Sequence, residues 1–255
     1  MKPFRTCLIL LAASALLSTT ARGQGPMPNA GPPGWNAAMT KLFGDVKAFT
    51  AKADTRMLDK SGQETMSLAG MNFALLDEKV RVEVDMTQMK SAQMPAGAMD
   101  GLKQMGMDRV ISIVQTEKKN VCLVYPGLEA CVDMPIPEEA GGTDLKDFKL
   151  ETTKVGNETL DGQACVKNQV IITDAKGQKR EAFVWNAAAL KDFPIQIQLT
   201  EGDNTVVMRY RDIQFAKPDA KQFEIPAGYA RYASIQEFMQ KAMMKMMGGA
   251  AGGNP

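Results

Sequence analysis

The residues Val80, Val82, Val84 and Met86 alternate with Arg81, Glu83 and Asp85, the clearest period-two pattern in the chain. Successive side chains of a strand point to opposite faces, so this run describes a strand with one buried and one wetted face. It sets the terms for its neighbours, because a half-buried strand needs partners of the same kind on both sides.

Such partners are present. Phe49, Ala51, Ala53, Thr55 and Met57 alternate with polar residues, and residues 63–75 read as a long strand whose apolar parity changes at Gly70, as a bulge would make it. Further strands are expected at 109–115, 121–125, 128–134, 150–155, 164–173, 179–185, 195–199 and 205–215. Turns are expected at Tyr125-Pro126-Gly127-Leu128, Asp161-Gly162, Asp174 to Gly177 and Glu201 to Asn204. The spacing predicts a mainly β (α+β) fold: a curved antiparallel meander sheet, or half-barrel, closed by short helices.

Three helices are expected. Trp35, Met39, Leu42, Phe43 and Val46 recur at helical spacing up to Gly44, as do Met94, Ala98, Met99, Leu102 and Met105. The third follows Ser234-Ile235-Gln236-Glu237, which fits a capping box, and carries Ile235, Phe238, Met239, Ala242, Met243 and Met246 as a stripe ended by Gly248-Gly249.

The first residues belong to a different category. Lys2 and Arg5 precede the apolar run Cys7 to Leu17, and small residues follow up to Gly23. This is the pattern of a secretory signal peptide, too short for a span of about 20 apolar residues. We expect residues 1–23 to be removed near Gly23, 24–34 to form a flexible lead-in, 35–247 a single domain and 248–255 a disordered tail. Cys7 lies ahead of the apolar run, where it cannot serve as the lipidated cysteine of a cleavage site. The expected location is the periplasm.

Export permits disulfides. Cys122, Cys131 and Cys165 remain after cleavage. Cys131 with Cys165 is the favoured pair because it closes the longer loop. A tight turn at 125–128 would instead put Cys122 opposite Cys131, and three reduced, buried thiols are the third option.

The chemical menu is narrow. The sequence contains no histidine, which removes the usual general base, the familiar catalytic triads and the commonest metal ligand. No nucleophile elbow, phosphate loop, dinucleotide fingerprint or Cys-x-x-Cys pair is present. The reading is a non-enzyme with no catalytic, cofactor-binding or metal residues and no cofactor. Without Lys2, Arg5 and Arg22, 27 basic residues face 29 acidic ones, and no basic stripe marks a nucleic-acid surface. Nineteen methionines are the one compositional excess, densest at Met243-Met244-Lys245-Met246-Met247. They suit core packing first, then an adaptable surface for lipid chains or apolar peptides, and only then Cu(I).

Three sets of residues carry a resemblance. Glu158 to Cys165 (ETLDGQAC) and Phe223 to Tyr229 (FEIPAGY) resemble bacterial exported proteins related to the lipoprotein carrier LolA and its receptor LolB. Lys103 to Asp108 (KQMGMD) followed by Tyr125 to Leu128 (YPGL) is similar to an uncharacterised family of that fold. The resemblance implies a half-barrel whose concavity is closed by helices and which holds acyl chains in the carriers. The expected function is therefore a monomeric periplasmic carrier or binding protein with an apolar pocket for lipid, acyl chain or lipoprotein. The alternative is an envelope structural or sensing domain that binds another protein. No pocket residue is assigned by sequence alone.

Overall fold

The computed structural model describes residues 40–92, 94–95, 97–115, 118–136 and 148–251, without the side chains of 201 and 245–251. The expected signal peptide, lead-in, most of the first helix and the last residues of the tail lie outside these.

Among the described residues thirteen strands form one sheet. They are β1 (Ala48–Leu58), β2 (Glu64–Leu76), β3 (Lys79–Asp85), β4 (Met89–Ser91), β5 (Arg109–Gln115), β6 (Asn120–Tyr125), β7 (Ala130–Pro135), β8 (Lys149–Leu160), β9 (Gln163–Thr173), β10 (Lys179–Ala187), β11 (Phe193–Glu201), β12 (Asn204–Gln214) and β13 (Ala230–Tyr232). Among the described residues two further helices accompany them besides the helical residues 40–42: α1 (Ala98–Gln104) and α2 (Ile235–Ala251). The spatial order is β13-β7-β6-β5-β3-β2-β1-β12-β11-β10-β9-β8, with β4 on β2.

The sheet is two meanders that meet at its centre. The chain starts at β1, works outward to β7, crosses to the far edge at β8 and works back to β12 beside β1. Chain length requires this sheet to curl. From β7 to β8 the order has ten interstrand steps, about 48 Å on a flat sheet. Residues 136–148 reach at most about 43–47 Å even when fully extended. Their ends are pinned: Ile136 N–H donates to the Lys119 carbonyl, and Phe148 is buried in the main core. The expected curved, mainly antiparallel architecture is the one observed.

The expected strands are present with shifted ends, and the differences have physical causes. The parity change in β2 is a bulge: the register jumps from Ala53↔Met71 to Thr55↔Leu68, Gly70 has φ +70°, and Asp54 Oδ1 accepts from the Gly70 N–H at 2.8 Å. The turn after β6 is longer than expected. Pro126–Leu128 form a 3₁₀ turn, Glu129 is left-handed, and Tyr125 pairs with Ala130. Cys122 therefore faces Asp133, and Cys131 faces Val124. Helix α2 runs through Gly248 and Gly249 to Ala251 instead of ending there. The short strands β4 and β13 are additions to the expected set, and β13 alongside β7 makes the one parallel pair among the described residues.

Both faces of one half of the sheet are apolar, and the outer one is covered. Following the register, Val80, Val82 and Val84 share the inner face with Val114, Ser112 and Val110 of β5 and with Val121 and Leu123 of β6. On the outer face, Ile111, Ile113, Cys122, Val124 and Cys131 pack beneath Ile225 and Tyr229, while Ala48, Ala74 and Leu76 pack beneath Phe223. Residues 215–229 thus cross the outer face as a strap from β12 to β13.

Candidate functional site

The inner face is the candidate site. Its deep end is filled by the protein's own aromatic rings. Phe43, from the turn that ends the helical residues 40–42, lies 4.8 Å from Phe49, 5.8 Å from Phe73, 5.4 Å from Phe193 and 5.6 Å from Tyr210 between ring centres. Tyr210 is fully buried there, which pushes its hydroxyl pKa far up, and its O–H is 2.8 Å from Met208 Sδ. A thioether is a weak acceptor, so this phenol serves packing.

The other end is roofed by α1 and α2. Leu102 of α1 and Met105 just after it, together with Ile235, Phe238 and Met239 of α2, pack on Tyr125, Ala130 and Val132. Phe238 stacks on Tyr125 at 4.5 Å. The start of α2 is close to the expected capping box: the Ser234 hydroxyl accepts from the Glu237 N–H, while the Glu237 carboxylate reaches one residue further and accepts from the Ala233 N–H. Helix α1 is weakly anchored by comparison, with left-handed Gly97 at its start and no side-chain cap.

Between the filled end and the roofed end lies a half-exposed apolar stripe. Leu68 of β2, Val82 and Val84 of β3, Val110 of β5 and Leu123 of β6 are all partly exposed on the inner face. Among them Ser112 is 3% exposed and its hydroxyl has no hydrogen-bond partner among the described residues. A buried unpartnered hydroxyl is uncommon enough to require a reason. The stripe was legible in the alternation of β3, whereas Ser112 carries no sequence signal because isolated serines are common.

Two depressions lie away from this stripe. One, about 590 Å³, is bounded by Lys118, Lys119, Asp133 and Arg231 beside β13; the other, about 570 Å³, by Lys52, Asn72, Arg81, Asp212 and Gln222. Beside the first, Asp133 accepts from Arg231 Nε at 2.9 Å and from Asn120 Nδ2 at 3.1 Å. Near the second, Glu83 accepts from Arg81 at 2.7 Å and from Arg109 Nε at 2.6 Å. Burial works to raise the Glu83 pKa, but the two guanidinium groups outweigh it and hold the carboxyl below its ordinary value.

The expected Cys131–Cys165 bridge is not formed. All three thiols are free and buried. Cys131 lies under the strap on β7, and Cys165 lies in the main core on β9, nine strand steps away. Cys122 and Cys131 occupy the same outer cluster but pair with Asp133 and Val124, not with each other. Burial pushes the pKa of each thiol up, which suppresses the thiolate needed for nucleophilic or redox chemistry. Among the described residues no group of three or more Cys, Asp or Glu side chains is placed to hold a metal. No described helix is long and apolar enough to cross a membrane.

No family model matches the chain, and no curated protein matches it. Solved structures do match. The Mycobacterium tuberculosis lipoprotein LppX is 11% identical with a TM-score of 0.41, over 77% of this chain and 100% of that one. A LolA superfamily protein from Nitrosomonas europaea is 10% identical with a TM-score of 0.35, over 74% of this chain and 94% of that one. A DUF1329 family protein from Desulfovibrio piger is 10% identical with a TM-score of 0.33, over 76% and 97%. The structural neighbours therefore include a LolA superfamily protein. Each likeness concerns the fold.

Proposed function

We propose that this chain is an exported, non-enzymatic binding protein whose inner face holds an apolar ligand, such as a lipid or acyl chain. One observation carries the reading: the half-exposed stripe Leu68, Val82, Val84, Val110 and Leu123, with the unpartnered Ser112 hydroxyl among them. Ligand sites are mainly apolar and contain few, well-placed polar groups. A fatty-acyl ligand has that make-up, and Ser112 offers its one donor to a carboxyl or ester oxygen. The roof of α1 and α2 is the movable part, because α1 is short, has a glycine start and packs through Leu102, with Met105 beside its end. The leader-like residues 1–23 support delivery to the periplasm. The absence of histidine from the sequence and the raised thiol pKa values support a role without catalysis.

A second reading has its own observation. Phe43 plugs the deep end of the concavity, as expected of an envelope domain that binds another protein and carries no cargo. Native mass spectrometry of the purified protein, with lipid extraction of the same sample, separates the two. Bound lipid, or saturable uptake of a fluorescent fatty acid, supports the first; empty protein with no fatty-acid affinity supports the second.

A further inference from the structure

Helix α2 has two unlike halves. Its first part is packed: Ile235, Phe238 and Met239 contact the inner-face cluster. Four residues on, Met243 is 60% exposed and Met244 65% exposed. With Val155 they are the only exposed large apolar residues among those described. The helix runs to Ala251, about 25 Å from its start at 1.5 Å per residue. Its outer half extends beyond Met239, the last described residue of α2 in the inner-face cluster.

The charge of this segment identifies what covers it. Residues 238–255 include Lys241 and Lys245 and no acidic residue, and Lys241 is exposed. A helix that offers adjacent apolar side chains flanked by lysines fits the interface of an anionic bilayer, where apolar burial and attraction to lipid headgroups act together. We infer that the outer half of α2 docks on an anionic lipid surface through Met243 and Met244, with Lys241 contacting the headgroups. Met side chains suit such a contact because they are flexible and adapt to irregular apolar surroundings. This inference is independent of any ligand on the inner face. It gives the protein a place on the membrane from which α2, part of the roof, is reached directly.

The test is co-sedimentation of the full mature chain with phosphatidylglycerol vesicles and, separately, with phosphatidylcholine vesicles. Binding to the first and not the second is expected, weakened by high salt. Lys241→Gln should lower the affinity about fivefold, the equivalent of about 1 kcal/mol per basic residue near the surface. Met243→Ser with Met244→Ser should lower it about tenfold or more through lost apolar burial. Both variants change exposed positions, so their circular dichroism and fatty-acid titrations should match those of the parent. No binding to phosphatidylglycerol at low salt, or equal binding by parent and methionine variant, would overturn the inference. So would a dimer in solution that the methionine variant breaks, because a second copy would then be the occupant.

Discussion

The backbone of Gly106, just after α1, lies against the backbone of Gly127, in the turn between β6 and β7. A Cβ built at Gly127 would meet the Gly106 carbonyl oxygen at 2.5 Å, and one built at Gly106 would meet the Gly127 oxygen at 2.9 Å. Gly106 also has φ +68°. The contact sets the height at which α1 sits over Tyr125 and Val132, and so the position of one end of the roof. Gly127→Ala should destabilise the fold by about 1–3 kcal/mol, the range for overpacking. Gly101→Ala, in α1 with open space around it, should instead stabilise by up to about 1 kcal/mol. Urea unfolding of both variants checks the contrast.

The KQMGMD and YPGL segments contain these two glycines, so that part of the resemblance marks a backbone contact. The other two segments are structural as well. In ETLDGQAC, left-handed Asp161 and Gly162 close the β8–β9 hairpin, and Glu158 accepts from Trp185 Nε1 at 2.6 Å. In FEIPAGY, Phe223, Ile225 and Tyr229 form the strap.

What could be read in the sequence follows from periodicity. Strands β1, β3 and β12 have one wetted face, and their alternation located them within two residues of their ends. Strand β8 is longer than expected because it is an edge strand, mostly exposed on both faces, and shows no apolar rhythm. The strap was not anticipated, although a signal for it existed: Val110 to Val114 and Val121 to Val124 are apolar on both parities, the mark of two covered faces. Register lay beyond the sequence, since the Pro126–Glu129 connection could not be told from a two-residue turn, and that difference sets Cys122 diagonal to Cys131 on the outer face instead of directly opposite it. The site was legible only as the inner parity of β3.

The aromatic core should separate packing from polarity. Phe43→Ala removes a ring that touches four others and should cost about 3–5 kcal/mol. Tyr210→Phe removes a hydroxyl whose partner is a thioether and should change stability by less than about 1 kcal/mol. Thermal and denaturant unfolding of the pair should show the large loss only for Phe43→Ala.

Acid stability should follow Glu83. Its folded-state pKa lies below the ordinary 4.5, so its contribution is complete above that value and is lost as pH falls through the folded-state pKa. Melting temperature should therefore drop below about pH 4.5, and Glu83→Gln should flatten that part of the profile while lowering stability at neutral pH.

The thiols should be inert in the native state. Burial and raised pKa values protect Cys122, Cys131 and Cys165, so iodoacetamide should label the mature protein slowly at pH 8 and fully in denaturant. Rapid native labelling of any one of them would place that thiol at the surface.

The most direct measurement is a titration of a fluorescent fatty acid into the mature protein and into Val84→Glu, which sets a charge on the half-exposed apolar stripe. Saturable binding by the parent, weakened at least about tenfold in a variant whose circular dichroism shows the parent fold, is the expected result. No saturable binding by the parent, or the same affinity in both, would contradict an apolar ligand on the inner face.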